Sequence, residues 1–196
     1  MISLCLGIAA FGLYLLYDIN SFTRKLRFVH SFFLLGTVLL CGATAWDLWC
    51  AWKAGCFAGA GDVLLLVGAA VFFALLIYSL FFALPFEKTY TEQTSGKHVY
   101  SGGVYALCRH PGILWFFGMY LLLGLAALPS GMLVNCLVFS ALDLAYAWFQ
   151  DRVTFPKTFC DYTQYQKSVP FLIPTKASIR MAKKTLFGSN QKEEMP

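Results

Sequence analysis

Charge is what this sequence has least of. Asp, Glu, Lys and Arg make up 13% of its 196 residues, against roughly 25% in a soluble domain. With 59% hydrophobic residues and a mean hydropathy of +0.64, that shortage argues against a soluble globular protein and for an integral membrane one. Metal-type cysteine spacing is also missing. The seven cysteines (5, 41, 50, 56, 108, 136 and 160) include no CxxC pair, and most lie in apolar runs, where a free thiol behaves as a small hydrophobe. The three histidines (30, 98 and 110) are too scattered to argue for a metal site. The first seventeen residues lack a basic n-region before them and a small-residue cleavage site after them, so they read as a spanning helix and not as a removed signal peptide.

The long apolar runs set the architecture. A span takes about 20 apolar residues, range roughly 17–25, and the sequence offers five: about 1–17, 28–46, 63–84, 111–128 and 132–149. The third is the clearest, carrying no charge until Pro85 stops it. Polar residues 18–27 separate the first two. Trp46, Trp49 and Trp52 form an aromatic cluster of the kind found at a membrane–water boundary. Gly55 to Gly61 is a turn, and Pro129-Ser130-Gly131 joins the last two spans into a helical hairpin. Residues 1–175 are therefore expected to form one all-α membrane domain, with 176–196 as a basic, flexible tail.

Basic residues set the orientation. Of fifteen Lys and Arg, all but Lys53 fall on one side of a five-span arrangement. The positive-inside rule then puts the C-terminus in the cytoplasm. The net charge of +5 needs no nucleic acid, since attraction to anionic lipid in the bilayer accounts for it.

The richest chemistry lies between Lys97 and Trp115, where a glycine pair, two tyrosines and Arg109-His110-Pro111 crowd together. Pro111 suits the first turn of a helix, and Gly102-Gly103 allows backbone conformations closed to other residues. Arg109 and His110 offer donors to an anionic ligand, although a basic pair at a helix mouth also suits interfacial anchoring. Asp143 lies within the fifth span and is either functional or hydrogen-bonded to Asn135, Tyr146 or a neighbouring helix. His30 and Asp47 are expected at the interface. The Lys176–Lys184 cluster reads as a solvated, lipid-facing segment.

Gly103-Val-Tyr-Ala-Leu-Cys-Arg-His-Pro, then a helical hairpin, an acidic residue, and Tyr162-x-x-Tyr165-x-x-x-Val169-Pro170-x-x-Ile173-Pro174 together resemble the isoprenylcysteine carboxyl methyltransferase family, whose near relatives are phospholipid methyltransferases. The resemblance covers about residues 85–175. It implies a membrane enzyme that uses S-adenosylmethionine, with a cytoplasmic C-terminal segment completing the cofactor site. The cofactor-binding positions it implies are Lys97, His98, Val99, Tyr100, Tyr105, His110, Pro111, Gly112, Ile113 and Asp151. Arg109, Asp151 and Arg152 are the implied catalytic set, with Gln150 or Arg152 as other candidates for the acidic position. The implied methyl acceptor is a small or lipid-like molecule, an isoprenylcysteine carboxylate or a lipid amine. Where the family has a tyrosine, a glycine and a Glu-Glu pair, this chain has Ile113, Trp115 and Gln150-Asp151 or Asp151-Arg152. S-adenosylmethionine offers a carboxylate for Arg109 or His110, an ammonium or ribose hydroxyl for Asp151, and a sulfonium and adenine for tyrosine faces. Methyl transfer from a sulfonium needs alignment and exclusion of water more than acid–base help. Membrane sterol reductases share an Arg-His-Pro element and a Val-Pro-x-x-Ile-Pro tail, so an NADPH-dependent reductase is one alternative. A non-catalytic membrane protein that has kept the fold is the other.

Overall fold

The computed structural model describes residues 1–83 and 98–187. Lys97 lies outside them. Among the described residues there is no strand; the long helices are α1 (Ile2–Phe22), α2 (Ser31–Lys53), α3 (Ala60–Ile77), α4 (Pro111–Ala126) and α5 (Met132–Phe149). Short helices follow: α6 (Phe155–Thr158), α7 (Tyr162–Ser168) and α8 (Lys176–Phe187). With their helical extensions, four segments are long and apolar enough to cross a membrane: Ile2–Phe22, Arg27–Lys53, Ala60–Phe82 and Met132–Thr158. Pro111–Ala126 is apolar but shorter.

Helix ends follow local chemistry. Pro111 takes the first position of α4, where its missing N–H leaves no helical bond unmade. The Asp62 carboxylate accepts the Gly59 N–H at 2.9 Å and closes the first turn of α3. Gly131, at φ +76°, makes the left-handed step between α4 and α5.

Small residues let the helices approach closely, the usual device where lipid supplies no hydrophobic drive. A Cβ at Gly7 of α1 would collide with the Phe139 ring of α5, and one at Gly124 of α4 would stand 2.7 Å from Leu133 of α5. Phe139 is 1% exposed and meets Tyr120 of α4 edge to face, centroids 5.7 Å apart. The Tyr120 hydroxyl is 2.6 Å from Thr44 Oγ1 of α2. One contact chain thus joins α1, α2, α4 and α5. Trp46, Trp49 and Trp52 stay exposed, with Lys53 Nζ 4.9 Å from the Trp49 ring centre.

Two differences from the sequence expectation, at Asp18 and Asp47, share one reason: a polar residue inside an apolar helix stays there when another helix offers a partner. Residues 18–22 continue α1 instead of breaking it. Asp18 is buried, and its carboxylate accepts hydrogen bonds from Gln150, Tyr146 and Thr154 at the end of α5 and in the turn after it. Asp47, expected at the interface, is also buried. Asn135 Nδ2 donates to Asp47 Oδ2 at 2.9 Å and to Ser3 Oγ at 3.0 Å. Asn135 and Tyr146 therefore serve other acids, and among the described residues Asp143 makes no hydrogen bond. The segment expected as a flexible basic tail is helical over Lys176–Phe187. Reciprocal Thr175–Ser178 hydrogen bonds cap that helix.

Candidate functional site

The site grows from the glycine pair. Tyr100 folds back over Gly102, where a Cβ would stand 2.7 Å from the phenol oxygen, and Gly103 sits at φ +60°. Those two glycines permit the 3-10 turn Gly103–Ala106. Three contacts anchor it. Tyr105 donates its hydroxyl to the Ser79 carbonyl at 2.9 Å, in the π turn that ends α3. Tyr165 of α7 donates to the Tyr105 carbonyl at 2.7 Å. Thr185 Oγ1 of α8 accepts the Gly103 N–H at 3.0 Å. Replacing Gly103 with valine, a β-branched residue poorly suited to positive φ, should cost about 1–2 kcal/mol and loosen α8. Thermal unfolding with hydrogen exchange at residues 176–187 checks both.

Beyond the turn the chain pairs with the tail. The N–H groups of Arg109 and His110 donate to the carbonyls of Pro170 and Phe171 at 2.9 and 3.3 Å. Pro170-Phe171 is therefore laid across the mouth of α4. The His110 ring lies between Phe155, stacked at 5.7 Å, and Phe171 at 5.0 Å.

The segment after α5 supplies the acid. After Phe149 the helix widens into a π turn, Gln150–Thr154, before returning to α geometry in α6. A π turn inserts one residue into the helical register and is frequent at functional sites. Of the three candidates, Asp151 faces the cluster and is 2% exposed; Gln150 is committed to Asp18, and Arg152 is exposed and outside the cluster.

Asp151 and Arg109 form a two-point ion pair: Arg109 Nε donates to Oδ1 at 2.7 Å and Nη2 to Oδ2 at 3.0 Å. Tyr162 donates to Oδ1 at 2.6 Å, Gln166 Nε2 to Oδ2 at 3.2 Å, and His110 Nε2 lies 3.4 Å from Oδ1. Arg109 Nη1 reaches the carbonyls of Gln166 at 3.0 Å and Val169 at 2.6 Å. This planar, fork-on-fork arrangement suits guanidinium and no other side chain. The carboxylate has no lone pair left for a ligand's ammonium, so Asp151 positions Arg109.

Burial shapes the surrounding titratable groups. Desolvation raises the Tyr105 phenol to about 12 and the Cys108 thiol to about 11. Tyr162 is pushed above its ordinary value first by burial and then by donating to Asp151. Each stays protonated at neutral pH, so Tyr162 is a fixed donor to the carboxylate. Removing its hydroxyl should cost about 1–3 kcal/mol, as expected for a hydrogen bond to a charged group. Unfolding of Tyr162→Phe measures it.

The sequence-derived residues separate into two groups. Arg109, His110 and Asp151 meet at one point; Tyr105 is bonded through its carbonyl to Tyr165, whose ring lies 5.8 Å from that of Tyr162 in the cluster. Pro111 and Ile113 are buried at the start of α4, and Gly112 faces Leu76 of α3. His98 and Val99 belong to a neighbouring corner: Asp161 Oδ1 accepts the Val99 N–H at 2.9 Å, and Oδ2 is 3.2 Å from His98 Nδ1; Tyr100 stays at the glycine turn, its ring 6.4 Å from that of Tyr105. Sequence reasoning did not place Tyr162 and Gln166 in the site. Their i, i+4 spacing, with Tyr165 between them, puts all three along one helical face. That signal was present. A comparison of the chain with family models, curated proteins and solved structures finds no match.

Proposed function

We propose that the chain is an integral membrane methyltransferase, with five spans and the Arg109–Asp151 cluster on the cytoplasmic side, that uses S-adenosylmethionine. One observation carries this reading. Two motif fragments far along the chain close on Arg109: it meets Asp151 across |i−j| = 42 and the Val169 carbonyl across |i−j| = 60. A set of anchors that merely faced headgroups would have no need of that closure. In this reading α4 is also a span: it is shorter than the other four, yet it packs between α3 and α5.

Fit to the cofactor rests on the donors left over once the ion pair is satisfied. Trp115 Nε1, five residues into α4 from His110, is a buried donor with no acceptor among the described residues, and a buried unpaired N–H calls for a partner. Tyr100 and Tyr105 set their rings 6.4 Å apart, edge to face, beside the turn, a surface suited to a sulfonium or an adenine. Lys97, His98, Val99, Tyr100, Tyr105, His110 and the start of α4 would hold the cofactor. Arg109 and Asp151 would keep that wall in place, and Arg152, exposed beside them, would meet the acceptor. Bound S-adenosylmethionine supplies an activated methyl group. The protein aligns the acceptor and excludes water. The acceptor is a small or lipid-like molecule, such as an isoprenylcysteine carboxylate or a lipid amine, reaching the site from the bilayer.

One observation favours the non-catalytic alternative: the fully partnered Asp151 carboxylate. Titration of the purified protein with S-adenosylmethionine and with NADPH decides among the readings. Saturable binding of the first alone is the expected result. Binding of NADPH alone selects a reductase, and binding of neither selects the scaffold.

A further inference from the structure

The corner occupied by His98 brings together three ligand types that share no sequence motif. His98 Nδ1 is 3.2 Å from Asp161 Oδ2 and 3.5 Å from Cys160 Sγ. One ligand atom from each residue falls within 4.8 Å of the other two. Around a tetrahedral zinc ion with bonds of about 2.0–2.3 Å, neighbouring ligand atoms stand roughly 3.3–3.7 Å apart. The two separations to His98 lie close to the edges of such a tetrahedron, and the third, between Cys160 and Asp161, is within 4.8 Å.

We propose that His98, Cys160 and Asp161 form a Zn²⁺ site with three protein ligands and a fourth position open to water. The ligand set argues for the ion. A thiolate disfavours Mg²⁺ and Ca²⁺, which take oxygen, whereas imidazole, thiolate and carboxylate together are common around zinc. Access is direct, because the His98 and Asp161 side chains are 49% and 39% exposed. The carboxylate is aimed in advance: Oδ1 accepts the Val99 N–H at 2.9 Å, and the Asp161 carbonyl accepts the Gln164 N–H at 3.0 Å in the first turn of α7. Such outer contacts orient a metal ligand before the metal arrives. On binding, a sulfur–zinc bond forms and the Cys160 thiol proton leaves to the buffer, so affinity rises with pH. The bound ion would fasten residues 98–100, which lead into the Gly102-Gly103 turn, to the corner between α6 and α7. Nothing in this inference depends on the methyltransferase reading.

Cobalt is the probe, because Co²⁺ bound to a thiolate gives a near-ultraviolet charge-transfer absorption. The purified full chain in detergent is titrated with Co²⁺, and the cobalt is then displaced with Zn²⁺. The expected result is a charge-transfer band that saturates at one equivalent and disappears on addition of zinc. Cys160→Ser should abolish it. His98→Ala and Asp161→Asn should each weaken cobalt binding by at least about tenfold, the scale set by changes to a metal's supporting shell. Asparagine keeps an acceptor for the Val99 N–H, and these exposed side chains can change without emptying the core. No band in the wild-type protein overturns the proposal. So does a band unchanged in Cys160→Ser, which would assign it to another cysteine, or one unchanged in His98→Ala. Binding of S-adenosylmethionine by Cys160→Ser, measured in parallel, tests the other site separately.

Discussion

Arg109→Ala is expected to destabilise the protein by about 3–5 kcal/mol, the range for removing one partner of a buried ion pair. The side chains of Arg109 and Asp151 are 10% and 3% exposed. Without the guanidinium the carboxylate keeps Tyr162, Gln166 and His110 but loses its counter-charge, and the carbonyls of Gln166 and Val169 lose their shared donor. The lost contacts lie on three elements, so the mouth of α4, the π turn after α5 and the 166–171 segment should come apart together. Arg109→Lys should recover only part of the loss, because an ammonium cannot make the two parallel bonds. Unfolding in detergent gives the stability term, and binding of S-adenosylmethionine gives the functional one. Arg109→Ala and His110→Ala should each weaken that binding more than Lys183→Ala, which changes an exposed residue of α8. Equal effects at all three positions would remove the site from consideration.

Phe139→Ala should carry the second large effect, about 2–3 kcal/mol. Phenylalanine-to-alanine changes in soluble cores cost about 3–5 kcal/mol through lost transfer and the cavity left behind. In a bilayer the transfer part shrinks, since lipid tails are as apolar as the core, and lost packing remains. The ring fills the space left by Gly7 of α1 and braces Tyr120 of α4, so its loss should loosen α1 from α5 without touching Arg109. Thermal unfolding should therefore fall in both variants, while binding of S-adenosylmethionine falls sharply only in Arg109→Ala.

The apolar runs made the long helices legible because span length is fixed by bilayer thickness and charge marks the breaks. Pro111 announced the start of α4, and Gly131 the turn that follows it. That α1 runs on past Asp18 and α2 past Asp47 was not legible, because each acid is kept inside by a donor more than eighty residues away: Thr154 for Asp18, Asn135 for Asp47. The site was half legible. Arg109, His110 and Asp151 stood out by residue type and motif order, but the choice of Asp151 over Gln150 and Arg152 emerges only in three dimensions, where Gln150 turns to Asp18 of α1. No local pattern contains that contact. The same holds for His98 with Cys160 and Asp161, residues more than sixty positions apart in a chain without metal-type spacing.

Transfer of a labelled methyl group is the most direct measurement. The purified protein in lipid is incubated with methyl-labelled S-adenosylmethionine and either an isoprenylcysteine carboxylate or a lipid amine. Label should pass to the lipid-like acceptor with wild-type protein and fall to background with Arg109→Ala. Label that stays entirely in the cofactor with both acceptors, from folded protein that also fails to bind S-adenosylmethionine, would contradict the account.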